Sequence, residues 1–229
     1  MGYITEGILK AFELLVTFDP ETYSAIKATL KVSSYSMAAS LAIGIPLGFL
    51  LGFYEFPGKK PIRTIVDTLL ALPTVLIGLL VYALLTQKGP LGEYGLLFTL
   101  PGIAIGQTIL ALPIVIALTA TAVESLDRNL RLTLLSLGVN RIQLLFTYLW
   151  EARFGILTAA VAAYGRVLTE VGISLMVGGN IKWHTRTITT AIALETSKGQ
   201  FAMGIALGLV LLTIALLVNL SLSFFRKRC

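Results

Sequence analysis

Five apolar runs, at residues 32–53, 65–85, 101–123, 155–177 and 201–225, dominate the 229-residue chain. Each is about twenty residues long, the length a helix needs to cross a hydrocarbon core about 30 Å thick. One water-soluble core cannot hide this much apolar surface: 56% of the residues are hydrophobic, 13% are charged, and the mean hydropathy is +0.86. In lipid a helix satisfies its backbone polar groups within its own segment. The expected fold class is therefore an all-α membrane protein, with five transmembrane helices in a single domain covering 1–229.

The formal net charge of +6 and pI near 9.5 invite a nucleic-acid reading. The basic residues, however, stand at the ends of apolar runs rather than on one solvated face. Membrane topology demands that placement, so nucleic acid is excluded as a partner and the lipid bilayer is the expected surrounding. The one histidine, His184, and the one cysteine, Cys229, cannot assemble a zinc site or an intrachain disulfide. No GxxxxGK[ST] phosphate-binding loop occurs. Any use of ATP, with its Mg²⁺, therefore belongs to a separate subunit; this chain is expected to be no enzyme and to hold no cofactor.

Residues 1–18 read as an interfacial helix, with Ile4, Ile8, Phe12 and Leu15 at helical spacing and Glu6, Lys10 and Glu13 facing away. The stretch is too short and too acidic for a signal peptide and is expected to be retained. Asp19, Pro20 and Glu21 supply an N-cap, a first-turn proline and a first-turn acid for the first span. Lys59, Lys60, Arg63, Arg128, Arg131, Arg141, Arg153, Arg226, Lys227 and Arg228 fall on one side of the spans, against Lys10, Lys27, Lys31, Lys88, Lys182, Arg186 and Lys198 on the other. The positive-inside bias puts the N-terminus outside and the C-terminus in the cytoplasm.

Several features within the spans exceed what a lipid anchor needs. Ser36, Ser40, Gly44, Gly48 and Gly52 form a small-residue stripe suited to close helix packing. Thr29, Ser33, Ser36 and Ser40 align hydroxyls that either border an aqueous path or satisfy backbone carbonyls. Pro46, Pro73 and Pro113 are expected to kink or interrupt their helices. Arg166 and Glu170 stand one helical turn apart near the middle of the fourth span, where each costs roughly 2.5–3.5 kcal/mol on a lone helix. As a pair they either lock the bundle or line and gate a pathway. The longest cytoplasmic connection, 125–153, has Leu130, Leu134 and Leu137 before Gly138 and Ile142, Leu145 and Leu149 after it. Two short amphipathic helices meet at that glycine, as a surface helix on the membrane or as a knob for a cytoplasmic partner.

This loop, followed by Gly165-Arg166, Glu170-Val171-Gly172, Gly178-Gly179-Asn180-Ile181 and Thr185-Arg186-Thr187, resembles the permease subunits of molybdate, sulfate and tungstate ABC importers. The run Thr189-Thr190-Ala191-Ile192-Ala193-Leu194-Glu195-Thr196-Ser197-Lys198-Gly199, with Phe18-Asp19-Pro20-Glu21 and Gly89-Pro90-Leu91-Gly92, is similar to the tungstate-type permeases, and the likeness covers nearly the whole chain. The resemblance implies a type I importer transmembrane domain in the cytoplasmic membrane of a prokaryote, working by alternating access. A second copy of the chain would complete the pore, two ATP-binding cassette subunits would dock beneath it, and an extracytoplasmic oxyanion-binding protein would deliver from above. The resemblance assigns coupling to the ATPase to Leu132, Thr133, Leu134, Leu135, Leu137, Gly138, Asn140 and Arg141, in a cytoplasmic coupling helix. One departure stands out: Leu132, Thr133 and Leu134 replace a common Glu-Ala-Ala triplet, and Glu151 stands where proline is frequent.

An oxyanion pore should offer brief, weak contacts, because a tight site stalls release. Gln107, Thr108, Thr169 and Ser174 therefore join Arg166 and Glu170 as pathway or gate candidates, each also readable as a helix-to-helix hydrogen bond. The polar outer stretch 178–199 contributes Asn180, Lys182, His184 and Arg186 as docking candidates for the binding protein. They would either focus a weak field on an anion or sit in a solvated loop. Tungstate is the expected substrate, with a molybdate or sulfate permease as the alternative. An ATP-independent secondary transporter is the rival class, but no internal repeat supports it.

Overall fold

The computed structural model describes residues 2–228, including all side chains except those of residue 128 and residues 221–228. The basic cluster Arg226, Lys227 and Arg228 and the lone Cys229, used above for topology and cysteine chemistry, lie outside the described side chains. The elements in order are α1 (Tyr3–Val16), α2 (Pro20–Phe53), α3 (Lys59–Leu69), α4 (Thr74–Leu85), α5 (Leu100–Glu124), α6 (Arg128–Ser136), α7 (Arg141–Glu151), α8 (Arg153–Leu168), α9 (Gly172–Gly178), α10 (Ile188–Ser197) and α11 (Phe201–Arg228). Among the described residues there is no strand. By length and composition α2, α5 and α11 can each cross a membrane alone, and two bent pairs raise the number to five if each pair is one span.

The first span outgrows its apolar run. Asp19 caps α2, its Oδ2 accepting from the Thr22 N–H at 2.8 Å, and Pro20 opens the helix. The second run, 65–85, is not one helix: α3 and α4 meet at 96°. Pro73 lacks an N–H and disfavours helical backbone in the residue before it, so the first helix stops and Pro73 becomes the N-cap of α4. Pro46 and Pro113, by contrast, lie inside α2 and α5 without ending them. The fourth run, 155–177, is also divided, with Thr169, Glu170 and Val171 between α8 and α9. The outer stretch 178–199 is not a solvated loop throughout, since it holds α10, capped by a reciprocal Thr187–Thr190 capping box and burying Ile188, Thr189, Thr190 and Ala191.

The amphipathic reading of the N-terminal segment gives a helix, but of its apolar stripe only Leu15 packs on protein. Gly7, Ala11 and Leu14 are buried against α11, where a Cβ at Gly7 would come within 2.6 Å of Ile205. Ile4, Ile8 and Phe12 remain exposed. They are the face available to lipid.

The centre of the fold is the seam between α2 and α5, the most extensive helix pair. Ser36 meets Thr108, Gly44 meets Val115, Gly48 meets Thr119 and Gly52 meets Val123, so the two helices run in the same direction. A Cβ at Gly48 would lie 2.6 Å from the Ile116 carbonyl oxygen, and one at Gly52 would lie 2.7 Å from that of Ala120. Only glycine lets backbone approach backbone this closely. Helix α8 lies against the pair, with Ala163 and Val167 buried against Met37, Ala111 and Val115.

Replacement of Gly48 by Val should push the two helices apart and cost about 2 kcal/mol or more. Gly208→Ala, where nothing lies within 4 Å of the added methyl, should be neutral or stabilising by up to ~1 kcal/mol. Thermal unfolding of the two variants in one detergent compares them.

Candidate functional site

Three groups of candidate residues occupy three levels of the fold. At the end of α2 and α5 where Phe49 and Val123 lie, α6 and α7 form the expected helix pair about Gly138, whose φ of +75° is left-handed. An L side chain is strained there, and this explains a glycine at the turn. Asn140 then starts α7 through a capping box: its Oδ1 accepts from the Gln143 N–H at 2.8 Å, and Gln143 Oε1 accepts from the Asn140 N–H at 3.0 Å. Leu130, Leu134, Val139 and Leu145 pack against a cluster of Phe49, Val123, Leu144, Tyr148 and Ala152. Leu134 and Asn140 are thus committed to holding the knob. Leu132, Leu135 and Leu137 remain bare, at 67%, 52% and 72% exposure. Thr133, Gly138 and Arg141 are exposed beside them.

Sequence reasoning missed part of this surface. Phe146 and Trp150 are each about two-thirds exposed, like Ile142 before them, and the spacing of four residues from Ile142 is the available signal. It also missed how the knob's base is braced. Lys59 Nζ reaches Glu55 at 2.7 Å and Glu124 at 3.3 Å, while Arg63 approaches Glu124 at 3.7 Å and donates to Thr121 Oγ1 at 2.7 Å. These cations, which the sequence presented only as topology signals, tie the start of α3 to the end of α5.

The second group surrounds the break between α8 and α9. Arg166 Nη1 donates to Glu170 Oε2 at 3.0 Å, but the pair is not sunk in a continuous helix. Glu170 is 2% exposed, and its Oε1 accepts from the Ile173 N–H at 3.1 Å, so the carboxylate caps α9. Its backbone carbonyl accepts from Ser174 Oγ at 3.3 Å and Thr189 Oγ1 at 2.9 Å. Side chains therefore replace the helical bonds lost at the break, which is how non-helical backbone persists inside a membrane bundle. Ser174 is fully buried; it receives a long 3.5 Å bond from Gln107 Nε2. Thr108 donates to its own helix at Ala104 O, 2.7 Å away, and touches Ser36 O at 3.5 Å. Arg166 and Thr169 are the candidates left exposed.

The hydroxyl row of α2 is buried packing on this side. Thr29 Oγ1 donates to Ala25 O and accepts from the Ile188 N–H at 2.9 Å, fixing the start of α10. Ser40 Oγ reaches Thr108 O at 3.4 Å, and the hydroxyls of Ser33 and Ser36 have no hydrogen-bond partner among the described residues.

The third group lies at the opposite end of the molecule from the knob. Lys182 Nζ pairs with Glu21 Oε2 at 2.6 Å, Arg186 pairs with Glu21 Oε1, and Arg186 Nε donates to Asn180 Oδ1 at 3.2 Å. Three of the four docking candidates gather around Glu21, the first-turn acid of α2. The single carboxylate offsets one of the two positive charges and ties Lys182 and Arg186 to the start of α2, so the group keeps an excess of positive charge. His184 is exposed and stands apart.

Residues 44–229 match the family model described as a binding-protein-dependent transport system inner membrane component. The chain is 51% identical over 219 residues to the tungstate uptake system permease protein TupB of Campylobacter jejuni, covering 96% of this chain and 92% of that one. It is 30% identical over 196 residues to the molybdenum transport system permease protein ModB of Escherichia coli K12, covering 81% and 85%. Among solved structures it is similar to the inward-facing MetNI methionine ABC transporter, with TM-score 0.73 at 17% identity over 92% of this chain and 98% of that one. It is also similar to a bacterial alginate ABC importer, with TM-score 0.75 at 22% identity over 95% and 83%. The last two show the fold alone.

Glu170→Ala removes the cap of α9 and leaves the guanidinium without its partner, and should cost about 2 kcal/mol in thermal unfolding. Glu170→Gln keeps an acceptor for the Ile173 N–H and should cost less than about half of that.

Proposed function

Because the chain belongs to the family of binding-protein-dependent transport system inner membrane components, we infer that it is the pore-forming permease subunit of an ABC importer whose cargo is tungstate. Membership makes it a multi-pass inner-membrane protein that works with an ATPase and a binding protein. The finer reading has two copies of the chain forming the pore by a two-fold arrangement, and two ATP-binding cassette subunits beneath them. The end with α6 and α7 faces the cytoplasm and the N-terminus lies outside, as the excess of Lys and Arg at the knob end supports.

The observation that carries this reading is the bare knob. Six large apolar side chains, Leu132, Leu135, Leu137, Ile142, Phe146 and Trp150, stay exposed on two short, anchored helices and the turn that joins them. A rigid, uncovered apolar projection of this kind fits a cleft in a partner. Hydrolysis in that partner then moves the knob, and the anchor of Phe49, Val123 and Tyr148 passes the motion to α2 and α5. Tungstate is drawn from the likeness to the tungstate permease. Molybdate has the same charge and nearly the same shape, so selection between the two falls to the binding protein, which holds the anion long enough to discriminate.

Uptake of tungstate by cells or proteoliposomes carrying the permease, its ATPase and its binding protein tests the assignment. It should require ATP; transport that persists without the ATPase refutes the reading. Leu135→Glu/Leu137→Glu places two charges on the docking surface. It should lower the ATPase that co-purifies at least tenfold while the permease remains in the membrane in normal amount.

A further inference from the structure

Helix α8 is about 24 Å long by its rise per residue, and its exposed residues between 155 and 168 are Thr158, Ala162 and Arg166, with Thr169 continuing the line one turn on. They recur every three or four residues, so they form one stripe, and every one is small or polar. The faces that lipid solvates look different: α4 exposes Leu79 and Leu80, and α11 exposes Leu212, Leu216 and Leu220. Beside the stripe, Gly165 has nothing within 4 Å of an added Cβ, so the surface opens onto space. Arg166 is 41% exposed, and among the described residues its guanidinium has one partner, Glu170. An arginine left half exposed on a spanning helix has to face water or a second polar surface, because lipid does not solvate it.

We propose that this stripe is a wall of the oxyanion path and that Arg166 is the residue that touches the passing oxyanion, with Glu170 as its positioning residue. The proposal rests on the importer reading above. A guanidinium offers five N–H donors in a planar fork suited to tetrahedral oxyanions. Glu170 takes one edge and is itself fixed by the Ile173 N–H, so the remaining donors point from a rigid base. The buried carboxylate also offsets the arginine's charge, and the contact with a dianion is weak enough to break. Thr158 and Thr169 extend the wall with hydroxyls of the kind brief contact requires.

Two measurements test this. In the complete importer, Arg166→Gln should cut tungstate uptake at least tenfold per assembled complex, and Arg166→Gln/Glu170→Gln should stay equally low because the oxyanion contact is still missing. If the arginine serves only to neutralise Glu170, removing both charges restores transport, and recovery to within twofold of the unaltered complex overturns the proposal. The second measurement does not depend on transport. In a Cys229→Ser background, Thr158→Cys and Ala162→Cys should react with a charged, membrane-impermeant methanethiosulfonate at least tenfold faster than Leu80→Cys and Leu216→Cys. Equal rates overturn the proposal even where a variant assembles poorly. An unaltered complex that imports no tungstate defeats the importer reading instead, and the labelling rates still decide whether the stripe faces water.

Discussion

Backbone contact between α2 and α5 is the constraint on which the other elements depend. Gly44, Gly48 and Gly52 bring two parallel helices so close that a single methyl would strike a carbonyl oxygen or a valine side chain. In lipid no hydrophobic driving force pulls helices together, so close van der Waals packing has to do it. The pair forms the groove for α8 through Ala163 and Val167, the platform for the knob through Phe49 and Val123, and, through Thr29, the support for α10. Loosening the seam would disturb all three levels at once.

Polar groups within the bundle obey a second constraint, because water is absent to satisfy them. The break between α8 and α9 exposes backbone donors and acceptors, and Glu170, Ser174 and Thr189 close them. This divides the charged and hydroxyl residues into two kinds. Glu170, Ser174 and Gln107 face inward and hold helices; Arg166 and Thr169 face outward. Spacing along the chain suggests that Arg166 and Glu170 meet, but it does not say which of them remains open to the surroundings.

Much of the architecture is legible in the residues. The α2 cap is written in Asp19-Pro20, the glycine seam in the four-residue spacing of Gly44, Gly48 and Gly52, and the knob in the leucines flanking Gly138, because each depends on interactions between near neighbours. The breaks at Pro73 and Glu170 are less visible. Hydropathy averages over a run of twenty residues and stays apolar whether the helix inside it is straight or bent, and Pro46 and Pro113 show that a proline alone does not decide the matter. The pairing of the outer cations is hidden because it is long-range. Glu21 and Arg186 are 165 positions apart, and only packing of the outer loop on α2 brings them together.

By itself the sequence determined a membrane-embedded, all-helical chain without an ATPase motif, because length, apolarity and spacing act locally and need no knowledge of the partner helices. Only the tertiary structure decided which face of each helix is covered. It turned Gly7, Ala11 and Leu14 of α1 toward α11 and left Ile4, Ile8 and Phe12 outside. It buried Glu170 and left Arg166 open, used Leu134 as an anchor and left Leu132, Leu135 and Leu137 bare. A helix presents every face equally until its neighbours choose one, and those neighbours come from distant parts of the chain.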